Sequence, residues 1–379
     1  MFSLAGTLDA MRPHLPGALV SADAFAHARA AVDHLEAEIT NGIYFECRLR
    51  RGSSRVDLVI AVHPDGAALL VDASGGAAPG CRHAPPGGRR LSTLCRRWTA
   101  PTSPLRTLVD HLWLEYDVER EPSGDEAARS GPGVFCTLRG SRRVAHSAPA
   151  LRRRVIEALE AMTGRQASRA VQECLHACFA RLPPETGVPH VGLMFGREAP
   201  TVRICIAKLP AAGAADFLAA TAGVGGADVA DITRLASLPD GRGGPLYVPM
   251  LHLDIDERRG FIPRVGMERQ FAHTCQLTGR TRAGERHLLD TLTARGLCSR
   301  DKRNALLKWP GRTVAMMPHE VWWSVVERRV NHVKFVYEPH SGVETKGYLF
   351  ARHRPYRAQH RPRSPAGTHR KQPSNSNRY

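Results

Sequence analysis

Four basic or phenolic residues lie on segments in which apolar and polar residues alternate. Lys346 and Tyr348 share the last such segment, Lys334 lies on the segment before it, and Arg203 lies on an earlier one. Alternate residues of a strand point to the same face, so Lys346 and Tyr348 would project together. Ammonium, guanidinium and phenol groups are the donors that a multiply charged anion needs when it is bound away from water. The pattern predicts a diphosphate site formed by Arg203, Lys334, Lys346 and Tyr348.

Carboxylates and aromatic residues occupy comparable faces of earlier segments. Glu46 alternates with Tyr44, and Glu115 alternates with Trp113 and Asp117. A carboxylate across a cavity can orient an acceptor or remove its proton, so Glu115 and Glu46 are the candidate catalytic residues. The rings of Tyr44 and Trp113 could stabilise a developing carbocation through the ring quadrupole. A structural network of Trp113, Glu115 and Asp117 is equally compatible with the pattern.

A third segment allows a metal site as one interpretation. His252, Asp254 and Asp256 share a face, and carboxylates in such a row can bind a divalent cation. The His-x-Asp-x-Asp pattern is unspecific, because Asp-x-Asp also occurs by chance in polar strands. Asp254 and Asp256 are therefore candidate metal ligands only, and Arg203 could instead form a buried pair with Asp254 or Glu268.

The alternating segments belong to a unit that recurs about five times, in which a helix-like segment precedes two strands. The predicted strand pairs are Ile43–Arg50 with Arg55–Val62, His111–Arg120 with Gly133–Arg139, His190–Arg197 with Thr201–Lys208, Tyr247–Asp256 with Pro263–Phe271, and Asn331–Glu338 with Glu344–Ala351. The predicted helices are Ala22–Ile39, Pro104–Asp110, Ala150–Arg181, Ala214–Thr221, Glu285–Lys308 and Pro318–Arg328. Ten strands in successive hairpins can remove their exposed edges by closing into a barrel, with the helices outside.

Most of these strands have one apolar face and one face of charged and aromatic residues. In a barrel the apolar face packs outward on the helices and the polar face lines a lumen, whereas an open sheet of ten strands would leave edges and a large wet surface. We therefore predict an α+β fold, a ten-stranded antiparallel β-barrel with a polar lumen ringed by helices. Residues 1–350 would form this single domain, with a Gly-, Ala- and Pro-rich insertion at about 63–100 in which Ala67–Val71 could add a strand. Residues 351–379 would form a basic disordered tail.

Composition limits the class of protein. The 379-residue chain has a formal net charge of +17, and its last 29 residues contain eight Lys or Arg and no acidic residue. The rest of the chain is moderately basic, which suits an anionic ligand. The nine cysteines are scattered, no apolar run reaches the length of a membrane span, and the N-terminus lacks the apolar core of a signal peptide. We therefore expect reduced thiols, no membrane association and a cytoplasmic location.

The helix–hairpin units and their polar residues resemble the aromatic prenyltransferases of the PT-barrel type, also called the ABBA fold, over roughly residues 22 to 351. The closing Glu344-Thr-Lys-Gly-Tyr-Leu-Phe segment resembles the Lys-x-Tyr strand that binds the prenyl diphosphate in that family, and Thr201-Val-Arg-Ile-Cys-Ile resembles one of its Arg-bearing strands. Glu115, in Leu-Trp-Leu-Glu-Tyr-Asp, lies on an early strand where such enzymes often carry an acceptor-orienting acid, and Glu46 competes for this role.

The resemblance implies transfer of a dimethylallyl, geranyl or similar group from its diphosphate to an aromatic small molecule or a peptide, as in natural-product biosynthesis. Some members of the family use Mg²⁺ and others do not, so the resemblance leaves Mg²⁺ open.

Two other functions remain open from the sequence. A non-catalytic barrel could bind a peptide or small molecule as an accessory factor in natural-product biosynthesis, and its affinity would survive loss of Lys346 and Arg203. A nucleic-acid binder would act through the basic residues 351–379, and its affinity would fall steeply with salt. The absence of an aromatic platform with interleaved basic residues in the sequence speaks against nucleic acid.

Overall fold

The computed structural model of the protein describes residues 3–71, 88–118, 132–140, 147–194, 201–238, 246–272, 282–316 and 323–356. The strands in these residues are β1 Thr40–Arg48, β2 Val56–Val62, β3 Val109–Asp117, β4 Gly133–Leu138, β5 Gly187–Met194, β6 Thr201–Pro210, β7 Tyr247–Asp256, β8 Gly260–Gln270, β9 Gly311–Met316, β10 Trp323–Glu338 and β11 Gly342–Tyr356. The helices are α1 Leu4–Met11, α2 Ala22–Ala31, α3 Pro64–Leu69, α4 Gly88–Thr99, α5 Pro104–Leu108, α6 Ala148–Thr163, α7 Arg169–Arg181, α8 Ala214–Ala222, α9 Ala227–Ala236, α10 Ala283–Ala294 and α11 Arg300–Lys308.

Ten of the strands form a closed antiparallel barrel, as the sequence predicts. Strands β1 to β8 pair in chain order, β8 pairs with β10, β10 pairs with β11, and β11 returns to β1. The closing pair runs from Ile43 opposite Ala351 to Arg48 opposite Lys346. Strand β9 lies outside this ring and pairs with the first part of β10, from Trp323 to Arg328. Closure leaves none of the ten ring strands as a full edge strand.

The hydrophobic core lies between the barrel and the helices. On β1 the side chains of Ile43, Phe45 and Cys47 are buried in this outer layer, and the alternate residues therefore point into the lumen. Helix residues such as Trp98 and Leu289 complete the same layer. Each fully buried Leu, Ile or Phe contributes about 1.5–3 kcal/mol relative to exposure, so the outer layer stabilises the barrel and leaves the lumen face free for polar residues.

Local signals explain where several helices begin and end. Ser21 and Ser168 accept hydrogen bonds from backbone N–H groups of the first turns of α2 and α7. Gly164 ends α6 in a left-handed conformation with φ 74°, which favours glycine. The predicted helix Ala150–Arg181 is therefore two helices, α6 and α7.

Two other expectations about elements are wrong. Residues 323–328 belong to β10 rather than to the predicted helix Pro318–Arg328, because they pair with β9 on one side and β11 on the other; residues 317–322 lie outside the described residues. The proposed strand at Ala67–Val71 is instead the short helix α3 with its following turn.

The last strand reaches Tyr356, so the first six residues of the predicted tail are in β11. No helix in the described ranges is both long and apolar enough to span a membrane.

Candidate active site

The barrel lumen contains two adjoining cavities of about 920 and 720 Å³. We call the first the charged chamber; its lining includes Glu46, Arg48, Asp57, Asp254 and Lys346. We call the second the aromatic chamber; its lining includes Tyr44, Trp113, Phe135, His332 and Tyr348. We call the residues that line both chambers the waist: Glu115, Arg203, His252 and Lys334. The lumen therefore places a highly polar cavity directly beside an aromatic one.

Glu46 is the centre of a buried ion-pair network in the charged chamber. Its carboxylate accepts hydrogen bonds from Lys346 at 2.6 Å, from Arg48 at 2.9 Å and from the Tyr348 hydroxyl. Arg48 also donates to Asp57 at 2.6 Å. Burial would raise the pKa of Glu46, but the charges of Lys346 and Arg48 outweigh it and hold the pKa well below its ordinary value. Glu46 is therefore ionised, and both predicted donors on β11 are already bonded to it.

The same network has the opposite effect on Asp57, because it raises the pKa of this carboxyl group. Burial, with the neighbouring charge of Glu46, raises the pKa of Asp57 to about 7. Among the described residues, none donates a hydrogen bond to its carboxylate oxygen Oδ1, although Nε of Arg55 lies 3.5 Å from it. Sequence analysis missed Arg48 and Asp57 as members of the site, although Arg48 follows Glu46 by two residues and therefore shares its face.

Arg203 at the waist is held in a bidentate pair with Asp254. The guanidinium Nε and one terminal nitrogen donate to the two carboxylate oxygens at 2.6 and 2.9 Å. Burial would lower the pKa of Arg203, but the Asp254 charge outweighs it and raises the pKa. The sequence allowed Arg203 to pair with Asp254 or Glu268, and in the structure it pairs with Asp254.

Lys334 and Glu115 differ from these groups, since neither makes a hydrogen bond or ion pair with a residue in the described part of the chain. Lys334 is buried, and burial together with the nearby Arg203 charge lowers the pKa of its ammonium to about 8. Burial and the charge of Glu46 raise the pKa of Glu115. The waist therefore offers one cation and one carboxyl group that are free to bind a ligand.

The aromatic chamber has a wall of contacting rings. Tyr44 packs against Trp113 edge-to-face with ring centroids 5.4 Å apart, and His332 stacks on Tyr348 at 3.9 Å. The indole N–H of Trp113 donates to the Thr137 hydroxyl at 2.9 Å. Because the indole N–H of Trp113 and the hydroxyl of Tyr348 are bonded, these two rings present fixed faces to the cavity.

All eight residues that the sequence predicts for catalysis, diphosphate binding and cation shielding line the lumen, which brings them into one connected space. They are Glu46, Glu115, Arg203, Lys334, Lys346, Tyr348, Tyr44 and Trp113.

The two candidate metal ligands are occupied by other partners. Both carboxylate oxygens of Asp254 accept from Arg203, and Oδ1 of Asp256 accepts from the backbone N–H groups of Arg258 and Arg259 at 2.8 Å each. Within the described ranges, no three His, Cys, Asp or Glu side chains form a group that could hold a metal ion. These carboxylates therefore do not fit a Mg²⁺ site without breaking their present hydrogen bonds.

No family model and no curated protein matches this sequence. Solved structures do resemble it at low identity. A crystal structure of the prenyltransferase PriB has a TM-score of 0.49 at 15% identity, covering 91% of this chain and 94% of that chain. The 5-dimethylallyltryptophan synthase from Streptomyces coelicolor has a TM-score of 0.47 at 15% identity, covering 92% and 97%. AnaPT from Neosartorya fischeri has a TM-score of 0.47 at 11% identity, covering 81% and 77%.

Proposed function

We propose that the protein transfers a prenyl group from an allylic diphosphate to an aromatic or peptide acceptor inside the barrel. The observation that carries this proposal is the position of Lys334, a buried cation without a partner among the described residues, between a polar cavity and an aromatic one. An allylic diphosphate has the same two-part character, since its anionic end needs cationic donors and its apolar end needs a dry, aromatic wall.

Lys334 is the principal anion-binding residue in this proposal. The described residues that line the charged chamber include seven acidic and seven basic side chains, so the chamber as a whole has no excess of positive charge. Arg203 and Lys346 are neutralised by Asp254 and Glu46. They contribute to diphosphate binding only by sharing their donors with the ligand or releasing their carboxylates.

The reaction would begin at the waist, where the diphosphate leaves, and continue in the aromatic chamber. The bond between the allylic carbon and the diphosphate oxygen breaks, and the diphosphate leaves with both electrons beside Lys334. The faces of Tyr44 and Trp113 stabilise the allylic cation. The acceptor then attacks the allylic carbon, and the Glu115 carboxylate takes the proton that the acceptor loses.

A second candidate function is a non-catalytic barrel that binds a small molecule or peptide. The pairing of Arg203 with Asp254, and of Lys346 and Tyr348 with Glu46, favours this alternative, because these groups have a structural role without any ligand.

Calorimetric titration with an unreactive thiolo-diphosphate analogue of geranyl diphosphate, with and without Mg²⁺, tests the proposal. We expect binding by the wild type and an affinity at least roughly tenfold weaker in Lys334→Met, because a hydrogen bond to a charged group contributes about 1.5–3 kcal/mol. Lys208→Met is the matched control, since Lys208 is an exposed lysine on β6 outside the lumen lining. No binding by the folded wild type up to millimolar concentration would exclude the prenyltransferase, and equal affinity in Lys334→Met would exclude Lys334 as the anchor.

A further inference from the structure

Three polar residues on adjacent strands of the aromatic chamber form a connected row. Cys205 on β6 lies opposite His252 on β7 in the strand register, and Glu268 follows on β8. The Cys205 sulfur is 3.4 Å from Nδ1 of His252, and Nε2 of His252 is 2.7 Å from a carboxylate oxygen of Glu268. All three residues line the aromatic chamber.

The chemistry of the three groups fixes the direction of their hydrogen bonds. A carboxylate can only accept, so the imidazole Nε2–H donates to Glu268. Nδ1 of His252 then carries the lone pair and accepts from the Cys205 thiol. Burial, together with the charges of Lys334 and Arg203, holds the pKa of His252 well below its ordinary value, so the imidazole is neutral and its Nδ1 lone pair is available, although it is a weaker base than an ordinary histidine. Burial raises the pKa of the Cys205 thiol to about 12, so the resting pair is neutral and the proton moves to Nδ1 only as the sulfur attacks.

A nucleophile bonded to a base, which is in turn oriented by a carboxylate, is the arrangement that activates Ser and Cys nucleophiles. The waist adds a cation, because the free ammonium of Lys334 acts electrostatically on both Cys205 and His252. Such a cation can stabilise an oxyanion that forms beside the sulfur. None of the other cysteines in the described ranges lines either chamber.

We propose that Cys205, His252 and Glu268 form a nucleophilic triad that takes an acyl group from an ester or thioester bound in the aromatic chamber. His252 removes the thiol proton while the sulfur attacks the acyl carbon, and the carbonyl oxygen becomes an oxyanion near Lys334. When the oxyanion collapses, the bond from the acyl carbon to the alkoxide or thiolate breaks, and the leaving group takes the proton from His252. The product is a thioester on Cys205, with Glu268 holding the imidazole in position throughout. This activity is independent of prenyl transfer.

The same contacts could serve only to satisfy buried polar groups. In that case the sulfur would show no reactivity beyond that of an ordinary buried thiol. A reaction at Cys205 that depends on His252 and Glu268 distinguishes the two roles.

The test uses p-nitrophenyl acetate, whose aromatic leaving group suits the chamber and absorbs when it is released. We expect a burst of about one equivalent of p-nitrophenol per folded protein, as a covalent triad implies, and peptide mapping that places one acetyl group on Cys205. Cys205→Ala should abolish the burst. His252→Gln and Glu268→Gln should slow it, by on the order of a hundredfold for the base.

Cys174→Ser is the matched control, because Cys174 is a partly exposed cysteine on α7 outside the lumen lining, and it should leave the burst unchanged. Thermal unfolding of each variant verifies its fold. Peptide mapping of the wild type gives a result even if a variant does not fold. Acetylation confined to other residues of the folded wild type would overturn the triad, as would an undiminished burst in Glu268→Gln and His252→Gln.

Discussion

At the waist of the lumen, the side chains of Lys334 and Glu115 have no partner among the described residues, whereas the cations and carboxylates next to them do. A paired group gives up an existing ion pair when it binds a ligand, while a free group gives up only its contact with water in the cavity. The difference singles out Lys334 among the four predicted donors. Site-directed experiments should therefore begin at this residue rather than at Lys346.

The lowered pKa of Lys334 makes a prediction about pH. A lysine with a pKa of about 8 is charged below that pH and neutral above it, so affinity for the thiolo-diphosphate should be present below pH 8 and fall as the pH rises above it. The decrease should approach about tenfold per pH unit, as expected for the loss of one required proton. Titrations between pH 7 and about 10 would measure it.

Lys334→Arg is the control for this pH dependence, because a guanidinium stays charged over the whole range. Its affinity should remain nearly constant where that of the wild type falls. A parallel decrease in both proteins would assign the pH dependence to another group, such as Glu115, whose pKa is raised by burial and by the charge of Glu46.

The sequence was sufficient to place residues in the lumen, but it offered only one of their pairings, that of Arg203 with Asp254, and then only as an alternative. Alternation along each strand assigned Tyr44, Glu46 and Tyr348 to the correct face. The bond between Lys346 and Glu46 joins residues that are 300 positions apart, and only barrel closure brings them together. The Cys205–His252–Glu268 row was missed for the same reason, since its members come from three strands.

Among the helices, α3 depends on a glycine. A Cβ built on Gly66 would lie 2.3 Å from the backbone carbonyl oxygen of Ile39, which belongs to the short 3₁₀ turn before β1. Backbone cannot move aside as a side chain can, so Gly66→Ala should destabilise the protein by about 1–3 kcal/mol, the usual cost of overpacking.

Denaturant unfolding of Gly66→Ala and Gly17→Ala would measure this effect. Gly17 is the matched control, because its Cβ would meet no atom within 4 Å. We expect little change at Gly17; equal stability of both variants and the wild type would show that α3 can shift away from the 3₁₀ turn that contains Ile39.

The error at residues 323–328, which were predicted as part of a helix and lie in β10, has a physical explanation. Residues 323–328 read Trp-Ser-Val-Val-Glu-Arg, a short stretch in which helix and strand patterns are hard to distinguish. Its pairing with β9 was not predictable, because β9 had not been recognised as a strand. Tertiary contacts on both edges then decide the conformation.

For the whole molecule, the repeated helix–hairpin unit was enough to predict a closed barrel, because ten hairpin strands have few other ways to cover their edges. The C-terminal end of the barrel was harder to predict from the sequence. The arginine-rich residues 351–356 lie in β11 and not in a tail.

Two truncations test this boundary. A chain ending at Tyr356 should keep the thermal stability of the full protein. A chain ending at Phe350 loses the partners of Trp323 to Arg328 and should lose several kcal/mol, at about 1 kcal/mol per hydrogen bond. Identical melting curves for the two truncated chains would place the structural end of the barrel before residue 351.

The pairing of β1 with β11, which closes the barrel, also limits when the chain can fold during its synthesis. On the ribosome, β1 emerges long before β11 exists, so the nascent sheet must keep an open strand edge until almost all of the described chain has been synthesised. Contacts between such distant segments make folding slow and expose partly formed sheets to aggregation. We expect this protein to acquire its lumen only after β11 has left the exit tunnel, and to depend on chaperones during that interval more than a protein of equal size built from local contacts.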